Sequence, residues 1–346
     1  MSEMLKQVQH DITEFIIFVS LSKVFKKILV IQTAFIGDAI LASAALESLH
    51  KKFPQAELHI LVRNGNETLF ENHPYLKKVW VWNKKEDKIK NLFSIISQVR
   101  KEKFDWLINL HRFASSGLIT VLSKAKITAG FDKNPLSFLF TYRVKHVIGD
   151  GSHEVQRNHL LLKKYMDDDF SKPKLYPALS NIEKVNQYTQ NAFVCMAPAS
   201  VWFTKQLPKH KWIELCNLTF ANTNIYLLGA KGDETLCNEI KDASTHKNIT
   251  VLCSKLSLLD SCALMAKAQM NYVNDSAPLH LASSVNASVT AYFCSTVKEF
   301  GFYPLSDNSK TVEAIPAPPC RPCGLHGYKE CPLKHFKCGN DIVVNA

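Results

Sequence analysis

Four predicted loops carry residues whose types and spacing could do chemistry. In the first, Asp38 follows the apolar run Ile28–Gln32 and stands at the start of a helical stretch. A carboxylate there could accept a proton from an attacking hydroxyl, as general-base catalysis requires. The alternative is an acidic residue that only favours the positive end of a helix dipole. Local sequence alone favours that alternative, so a catalytic role depends on what lies near Asp38.

The second loop, Ala197–Pro208, contains Ser200, Thr204 and Lys205 ahead of a helix that begins near Pro208. Hydroxyls and backbone amides can hold phosphate oxygens, and a lysine ammonium can neutralise the charge on a departing diphosphate. An ordinary polar loop explains the same residues equally well. This segment alone does not choose between the two interpretations.

The third loop, Leu228–Glu234, again follows a strand and opens a helix. Its glycines permit a tight turn, and its carboxylates could accept hydrogen bonds from ribose hydroxyls or cap the helix. For Asp233 the cap is the safer interpretation. Glu234 is therefore the candidate ribose contact.

The fourth loop, Asn274–Ala282, is a polar turn between a buried strand and an apolar helix. Asp275, Ser276 and Ala277 would present backbone amides at the helix N-terminus, which suits a phosphate. His280 lies four residues past Ser276, on the same helical face. A lone histidine is more often structural, so His280 is a candidate only because of its neighbours.

Four of the ten cysteines lie near the end of the chain: Cys320, Cys323, Cys331 and Cys338. Together with nearby histidines they supply enough ligands for a tetrahedral structural zinc. One CxxC spacing is suggestive, but the second pair lacks it, so free thiols are the other interpretation. The remaining six cysteines fall in apparent core elements and are predicted to be buried thiols.

The elements that must position these loops follow a βαβ pattern that occurs twice. The first series of strands is Ile28–Gln32, Leu58–Val62, Val79–Trp82 and Trp106–Asn109, with helices over Ala39–Lys52 and Ile89–Lys101. The second series is Phe193–Met196, Ile225–Leu228, Ile249–Leu252, Met270–Val273 and Val289–Phe293. Parallel strands with crossover helices predict two doubly wound α/β domains. Ligands of such sheets bind beyond the carboxyl ends of the strands, where the four loops lie.

Length and composition agree with two globular domains. The 346 residues exceed the usual size of one core, and 46% hydrophobic with 21% charged residues is ordinary for a folded protein. The longest early apolar run, Phe15–Leu21, is far shorter than the roughly 20 residues of a spanning helix. Acidic Glu3, Asp11 and Glu14 beside a single early Lys6 do not fit the basic start that a signal peptide needs. We therefore expect a cytoplasmic protein.

A net charge of +11 favours anionic partners such as phosphorylated ligands or an acidic membrane surface. The basic residues are dispersed and no nucleic-acid motif accompanies them, so nucleic acid is not expected as a partner.

Taken together, the motifs resemble those of glycosyltransferase family nine, the lipopolysaccharide heptosyltransferases. The resemblance covers Lys27 to Cys338, and its order and spacing are more specific than any single motif. The matching pieces are Ile36-Gly37-Asp38, Ser200-Val201-Trp202-x-Thr204-Lys205-x-x-Pro208, Leu228-Gly229-x-x-Gly232-Asp233-Glu234, Asn274-Asp275-Ser276 and His280-Leu281-Ala282.

The resemblance implies a GT-B fold, two Rossmann-like domains facing an interdomain cleft, and an ADP-heptose donor that needs no metal. It implies inversion at the anomeric carbon, with Asp38 as base and Lys205 stabilising the leaving diphosphate. It further implies a lipid-linked lipopolysaccharide inner-core acceptor, reached from the cytoplasmic face of the inner membrane. The residues expected around the donor are Ser200, Thr204, Lys205, Glu234, Asp275, Ser276, Ala277 and His280.

On this interpretation residues 27–178 form the acceptor domain, 179–318 the donor domain and 319–346 a cysteine-rich tail. Asn109, His111 and Arg112, at the end of the fourth strand, are candidate acceptor contacts. Residues 1–26 could form an interfacial helix on anionic lipid, or equally a helix packed on the first domain.

Two other functions share this fold and stay open at this point: a sugar-nucleotide epimerase, and a non-catalytic transferase homologue that binds carbohydrate. An epimerase would alter the donor without any acceptor. The presence of both Asp38 and Lys205 argues against the non-catalytic alternative.

Overall fold

The computed structural model describes residues 25–345, and the interfacial helix considered for residues 1–26 falls almost wholly outside them. The chain divides into two compact units. The first includes the described residues up to Glu67, then His73–His146 and Val155–Ser171. The second includes Thr68–Asn72, Val147–Glu154 and the chain from Lys172 onward.

The first unit is built on a six-stranded, wholly parallel sheet in the order β3-β2-β1-β4-β5-β6. Its central strand β1 has four consecutive residues, 28–31, with no exposed surface, as expected of a parallel strand covered on both faces. The strands are β1 Lys27–Gln32, β2 Glu57–Arg63, β3 Leu76–Trp82, β4 Trp106–Asn109, β5 Ile127–Phe131 and β6 Tyr142–Val144.

Helices connect these strands and cover the sheet. The core on one face joins β1, β2 and β4 to the buried side of the helix Lys88–Glu102, through Leu92, Ile95, Ile96 and Val99. The helices of this unit are α1 Ile36–Lys52, α2 Lys88–Glu102 and α3 Ala114–Leu122, followed by α4 Glu154–Leu160, whose first residue belongs to the second unit.

The second unit repeats the design with the sheet order β12-β11-β10-β7-β8-β9. All of its strand pairs are parallel. Its strands are β7 Phe193–Ala197, β8 Asn224–Leu227, β9 Ile249–Val251, β10 Asn271–Asn274, β11 Val289–Tyr292 and β12 Ser309–Val312. Its helices are α5 Leu179–Val185, α6 Lys209–Leu218, α7 Glu234–Ala243, α8 Leu258–Met265, α9 Ala277–Ser284 and α10 Lys337–Asn340.

The cysteine-rich tail packs into the core of this second unit. Phe336, Cys338, Ile342 and Val344 are buried in the same cluster as Met196, a residue of the central strand β7. The six cysteines outside the tail are all buried, which confirms the prediction for them. Burial raises the pKa of the Cys216 thiol to about 12, so this thiol stays protonated.

Three strands escaped the sequence patterns: β5, β6 and β12. β6 has only three residues, and β12 lies at a sheet edge where none of its residues is buried. Such short strands form because a neighbouring strand offers hydrogen-bonding partners, and their own sequence shows little alternation.

Candidate functional site

Each sheet has one position where the strand order reverses, and polar residues gather at both. In the first unit β2 and β3 extend to one side of β1, and β4 starts the other side. In the second unit β8 and β9 extend to one side of β7, and β10 starts the other. In doubly wound sheets this switch point, beyond the carboxyl ends of the strands, is where ligands bind.

Asp38 lies beside the switch point of the first sheet. The helix α1 begins at Ile36, three residues earlier than the sequence pattern predicted, so Asp38 lies in its first turn. The side chain is half-buried. A carboxylate in the first turn is stabilised as the anion by the backbone amides that end there. Its place beside the switch point is where a base acting on a bound ligand would have to lie.

Lys84 was not identified from the sequence, yet it reaches the loop that leads to Asp38. Its ammonium donates to the carbonyl of Thr33 at 2.6 Å and lies 4.6 Å from the ring centre of Trp82. Burial, then the nearby charges of Arg63 and Lys88, lowers the pKa of Lys84 to about 8. Burial and like charge therefore disfavour the charged form of Lys84, and a ligand anion beside it would stabilise that charge.

Arg63 was also missed; it directly follows the predicted strand Leu58–Val62 and is the last residue of β2, whereas Lys84 lies two residues beyond the end of β3. Its guanidinium lies 4.8 Å from the ring centre of Phe35, in the loop before α1. The rule that finds residues just after parallel strands would have selected both cations, had it been applied to β2 and β3.

The three candidate acceptor contacts differ in their surroundings. Asn109 is buried; its amide donates to Thr120 Oγ1 at 2.9 Å, and its carbonyl accepts from the His111 backbone at 2.9 Å. His111 Nδ1 lies 3.1 Å from Thr33 Oγ1, which links the loops after β4 and β1. Burial, with Lys84 and Arg112 nearby, lowers the pKa of His111 to about 3, so its ring is neutral. Arg112 is half-exposed.

Lys205 lies at the switch point of the second sheet, where it forms an ion pair. Its Nζ is 2.6 Å from Asp275 Oδ2, and the two side chains are 15% and 6% exposed. Thr296, beyond the end of β11, donates its hydroxyl to the same carboxylate oxygen at 2.6 Å. The structure therefore brings together Lys205 and Asp275, two residues predicted from loops 70 positions apart.

Thr204 is buried in a network of its own. Its hydroxyl oxygen accepts from the Tyr328 backbone at 2.8 Å and from the Ser295 hydroxyl at 3.0 Å. Ser200 is half-buried, and its carbonyl accepts from the Gln206 side chain at 2.6 Å. The loop after β7 is thus held in one shape from both ends.

Asn274 connects this loop to β10, and in the sequence it stands out only as part of the Asn274-Asp275-Ser276 motif. Its side-chain carbonyl accepts from the Leu207 backbone at 2.8 Å, and its amide donates to the Pro198 carbonyl at 2.8 Å. The side chain is fully buried. Asn274 therefore holds both ends of the loop that carries Lys205.

The remaining predicted donor contacts lie after β8 and β10. Glu234 is exposed in the first turn of α7. Asp233 is the N-cap residue of α7, and its Oδ2 accepts from the Ala230 backbone at 2.8 Å across the short turn before the helix, without a side-chain hydrogen bond to the helix itself. Ser276 is the N-cap of α9 and Ala277 its first residue, both half-buried.

His280 is buried in α9, where burial lowers its pKa to about 3. Its Nδ1 has no hydrogen-bond partner among the described residues. A neutral ring with one unused nitrogen can still donate to or accept from a ligand.

The tail cysteines do not form a metal centre in this structure. Among residues 25–345, no three histidine, cysteine or acidic side chains come together closely enough to hold a metal ion. Cys320 Sγ lies 3.8 Å from His335 Nε2, and Cys338 is buried. Within the same residues, no helix is both long and apolar enough to span a membrane.

Two Rossmann-like units, each with charged groups at its switch point, define an α/β protein of the kind that binds nucleotides. The model of glycosyltransferase family 9 (heptosyltransferase) matches residues 92–330. The chain belongs to this family and is a glycosyltransferase.

Similar proteins agree with this assignment. Lipooligosaccharide heptosyltransferase 2 of Campylobacter jejuni is 27% identical over 329 residues, which cover 91% of this chain and 94% of that protein. The structure of Escherichia coli ADP-heptose lps heptosyltransferase II has a TM-score of 0.74 at 18% identity, covering 91% of this chain and 97% of that one. E. coli heptosyltransferase WaaC with ADP has a TM-score of 0.68 at 18% identity, covering 82% and 92%. The GT-B fold class predicted from the sequence is confirmed.

Proposed function

We propose that this glycosyltransferase transfers a heptose from ADP-heptose to a lipid-linked lipopolysaccharide inner-core acceptor, with inversion at the anomeric carbon. The observation that carries the proposal is the Lys205–Asp275 pair at the switch point of the second sheet. Membership of the heptosyltransferase family supports the sugar. The structural neighbours whose names mention ADP or ADP-heptose support the donor.

In the proposed reaction Asp38 takes the proton from an acceptor hydroxyl. The acceptor oxygen then forms a bond to the anomeric carbon as the bond from that carbon to the diphosphate oxygen breaks, with inversion. The electron pair of the broken bond remains on ADP, and Lys205 stabilises this charge because its ammonium lies in a largely dry site. The proton from the acceptor stays on Asp38 until solvent removes it.

Donor binding is assigned to the loops of the second sheet. The amides at the start of α9, near Ser276 and Ala277, suit a diphosphate oxygen, and His280 offers its unused Nδ1 to the sugar or phosphate. Glu234 addresses the ribose from α7. Thr204 acts mainly by giving the loop its shape, because its hydroxyl is already hydrogen-bonded to Tyr328 and Ser295. Ser200 is held in the loop through its backbone carbonyl, and its hydroxyl is assigned to the diphosphate.

Acceptor binding is assigned to the first unit. We propose that Lys84, Arg63 and Arg112 recognise anionic groups of the acceptor, while Asn109 and His111 hold the loops that present them. The low pKa of Lys84 supports this assignment, because an anion beside Lys84 would recover the charge stabilisation that burial removes.

We place the enzyme in the cytoplasm, peripherally bound to the inner face of the inner membrane. At the carboxyl edge of the first sheet Phe35 and Phe113 are 60% and 65% exposed, and the ring centre of Phe35 lies 4.8 Å from the Arg63 guanidinium. Exposed aromatic rings among basic residues suit an anionic lipid surface. Phe113→Ser should reduce sedimentation with phosphatidylglycerol vesicles, whereas Phe220→Ser should not, although Phe220 of the second unit is 79% exposed. Equal sedimentation of the wild type and both variants would contradict the assignment.

Catalysis is proposed to need no metal, and a structural zinc at Cys320, Cys323, Cys331 and Cys338 remains a prediction. Zinc would require these side chains to come closer together than they lie in the described structure. Metal analysis of the purified protein tests it: about one zinc per chain is expected if the site forms, and none would remove the prediction.

The proposed function is tested by titrating the purified protein calorimetrically with ADP, UDP and GDP, followed by a transfer assay with ADP-heptose and lipid-linked core acceptor. ADP binding in preference to the other two, and product formed only with acceptor present, are expected. Conversion of the donor without acceptor would favour an epimerase. Absence of nucleotide binding by folded protein would indicate a non-catalytic homologue.

A further inference from the structure

The tail contributes a loop, residues 320–330, that contacts the segment carrying Lys205 directly. We call it the tail loop. The backbone amide of Thr204 donates to the Tyr328 carbonyl at 3.1 Å, and the Tyr328 amide donates to Thr204 Oγ1 at 2.8 Å. The backbone amide of Cys323 donates to the Ser295 carbonyl at 2.9 Å, and the Ser295 hydroxyl donates to Thr204. Two ends of the tail loop are thus tied to the residue that precedes Lys205.

Gly327 packs against the stem of Lys205 so closely that no side chain fits. A Cβ on Gly327 would lie 2.8 Å from Thr204 Oγ1 and 3.1 Å from both Lys205 Cγ and Ser295 Oγ. Its backbone φ is +75°, a left-handed value that glycine adopts readily. The hydrogen of Gly327 therefore forms part of the wall along which the Lys205 side chain lies.

Arg321 is connected to Asp275, the ion-pair partner of Lys205, through Thr296. Its guanidinium is 3% exposed, pairs with Glu313 at 3.0 Å, and donates through Nε to the Thr296 carbonyl at 3.0 Å. Thr296 in turn donates its hydroxyl to Asp275 at 2.6 Å, and Asp275 holds the Lys205 ammonium. The tail loop therefore supports the lysine side chain at its stem and, through this chain of contacts, at its charged end.

We propose that the tail loop is a positioning element of the active site, and that Gly327 and Arg321 are positioning residues that act through Lys205. The inference rests on the role proposed above for Lys205 at the leaving diphosphate. A displacement of about 1 Å at a catalytic group can reduce turnover roughly 100-fold, so a loop that fixes the stem of that group influences the rate without touching substrate.

The chain offers a matched pair of variants. Gly324 also has a left-handed φ, +68°, but a Cβ there would meet only the hydroxyl oxygen of Tyr328, at 3.5 Å, and the ring carbon that carries it, at 3.8 Å. Gly324→Ala and Gly327→Ala therefore impose similar backbone strain, and only the second pushes on Lys205. We expect kcat to fall about 10-fold or more in Gly327→Ala and less than about threefold in Gly324→Ala, both measured at a temperature where thermal melting shows each variant to be folded.

A double-variant cycle with Lys205→Ala separates positioning from general damage. If Gly327 acts through Lys205, Gly327→Ala should cause little further loss of kcat in the Lys205→Ala background. If the kcat losses of Gly327→Ala and Lys205→Ala multiply in the double variant, the inference is overturned. Equal kcat for the two glycine variants would also overturn it, and either result leaves the proposed function intact. If Lys205→Ala itself transfers heptose at the wild-type rate, the role of Lys205 fails and the inference falls with it.

A second variant covers the case in which Gly327→Ala does not fold. Thr204→Val is similar in shape but removes the hydroxyl oxygen that accepts from Tyr328 and Ser295. We expect it to lower kcat about 10-fold in the wild-type background and much less in the Lys205→Ala background. A folded Thr204→Val protein with wild-type kcat, or the same fold-loss in both backgrounds, would overturn the inference.

Discussion

The carboxyl ends of the strands form the ligand-binding edge of each sheet, and we call these the first edge and the second edge. The two edges differ in electrostatic character. At the first, Lys84, Arg63 and Arg112 are cations near one another, and burial together with like charge lowers the pKa of Lys84. At the second, Lys205 is already neutralised by Asp275, which Thr296 also holds. The first edge therefore gains charge stabilisation when an anion arrives. The second keeps its lysine prearranged and releases it to an anion only by exchange with a carboxylate.

This difference makes the two edges separable by experiment. Changes at the first edge should affect chemistry and acceptor recognition but spare ADP binding. Changes at the second edge should weaken the binding of ADP.

The largest effect is expected from Asp38→Asn, which keeps the shape of the side chain and removes the base. We expect kcat to fall about 1,000-fold, within the range for loss of general-base catalysis, with the Kd for ADP changed less than about twofold. Transfer assays and calorimetric titration measure the two quantities. Asp87→Asn, an exposed N-cap change in the same unit, is the control and should retain normal turnover. Loss of ADP binding in folded Asp38→Asn would break the proposed separation of the edges.

A smaller effect is expected from Lys205→Met, which removes the charge and leaves Asp275 hydrogen-bonded to Thr296 without its ammonium counter-charge. We expect kcat to fall about 100-fold and ADP to bind more weakly, since the diphosphate loses its cation. Because a nearly buried carboxylate loses its counter-charge, the free energy of unfolding should also fall by about 3 kcal/mol. Urea denaturation measures that change.

The control for this prediction is Lys209→Met, because Lys209 forms an exposed ion pair with Glu239 in the same unit. Exposed pairs contribute little, so both stability and turnover should stay close to wild type. Equal losses in the two lysine variants would show that the second edge responds to charge in general and not to the Lys205–Asp275 pair.

Lys84→Met should raise the KM for an anionic acceptor about 10-fold, because one of the cations at the first edge is lost. The wild type should show the same trend as pH rises from 7 to 9, since Lys84 gives up its proton near pH 8. Acceptor KM measured against pH tests this, and the rise attributable to Lys84 should be absent in Lys84→Met. A pH profile identical in both proteins would count against Lys84 as an acceptor contact.

The free energy of unfolding should also respond to the titration of Lys84. It should rise with pH, whereas acceptor binding weakens. The folded-state pKa of Lys84 lies below its ordinary value of 10.5, so between pH 8 and 10.5 the unfolded chain binds more protons than the folded one. The free energy of unfolding of the wild type should therefore increase relative to Lys84→Met over this window. Matched urea denaturation series at pH 7.5 and 10 measure the difference, and a decrease would show that Lys84 is not destabilised in the fold.

What the sequence predicted well are the features that depend on local order. The central strands lie within one to three residues of their predicted bounds, and the four loops follow them as expected. The motif residues of the second edge could be found because each stands next to a strongly patterned strand. Lys205 and Asp275 could be named individually, although their contact could not.

What the sequence did not reveal depends on contacts between distant segments. Lys84 approaches Thr33 from 51 residues away, and Tyr328 contacts Thr204 from 124 residues away. Neither contact follows from a periodic pattern, so only the tertiary fold reveals it, although the position of Lys84 just after β3 could have marked that residue as a candidate. Gly327 is an ordinary glycine in the sequence, and its significance follows from the side chains that surround it.

The smallest effect is expected from Glu234→Ala, which sharpens the comparison within the second edge. Glu234 is exposed, so the loss of a hydrogen bond to the ribose should weaken ADP binding only about fivefold, with kcat nearly unchanged. Glu239→Ala, about one and a half turns further along the same helix α7, is the matched control and should bind ADP as the wild type does. If Glu234→Ala loses more affinity for adenosine than for inorganic diphosphate, Glu234 is assigned to the ribose. Equal weakening of diphosphate binding would instead indicate that the carboxylate acts on the loop around Lys205.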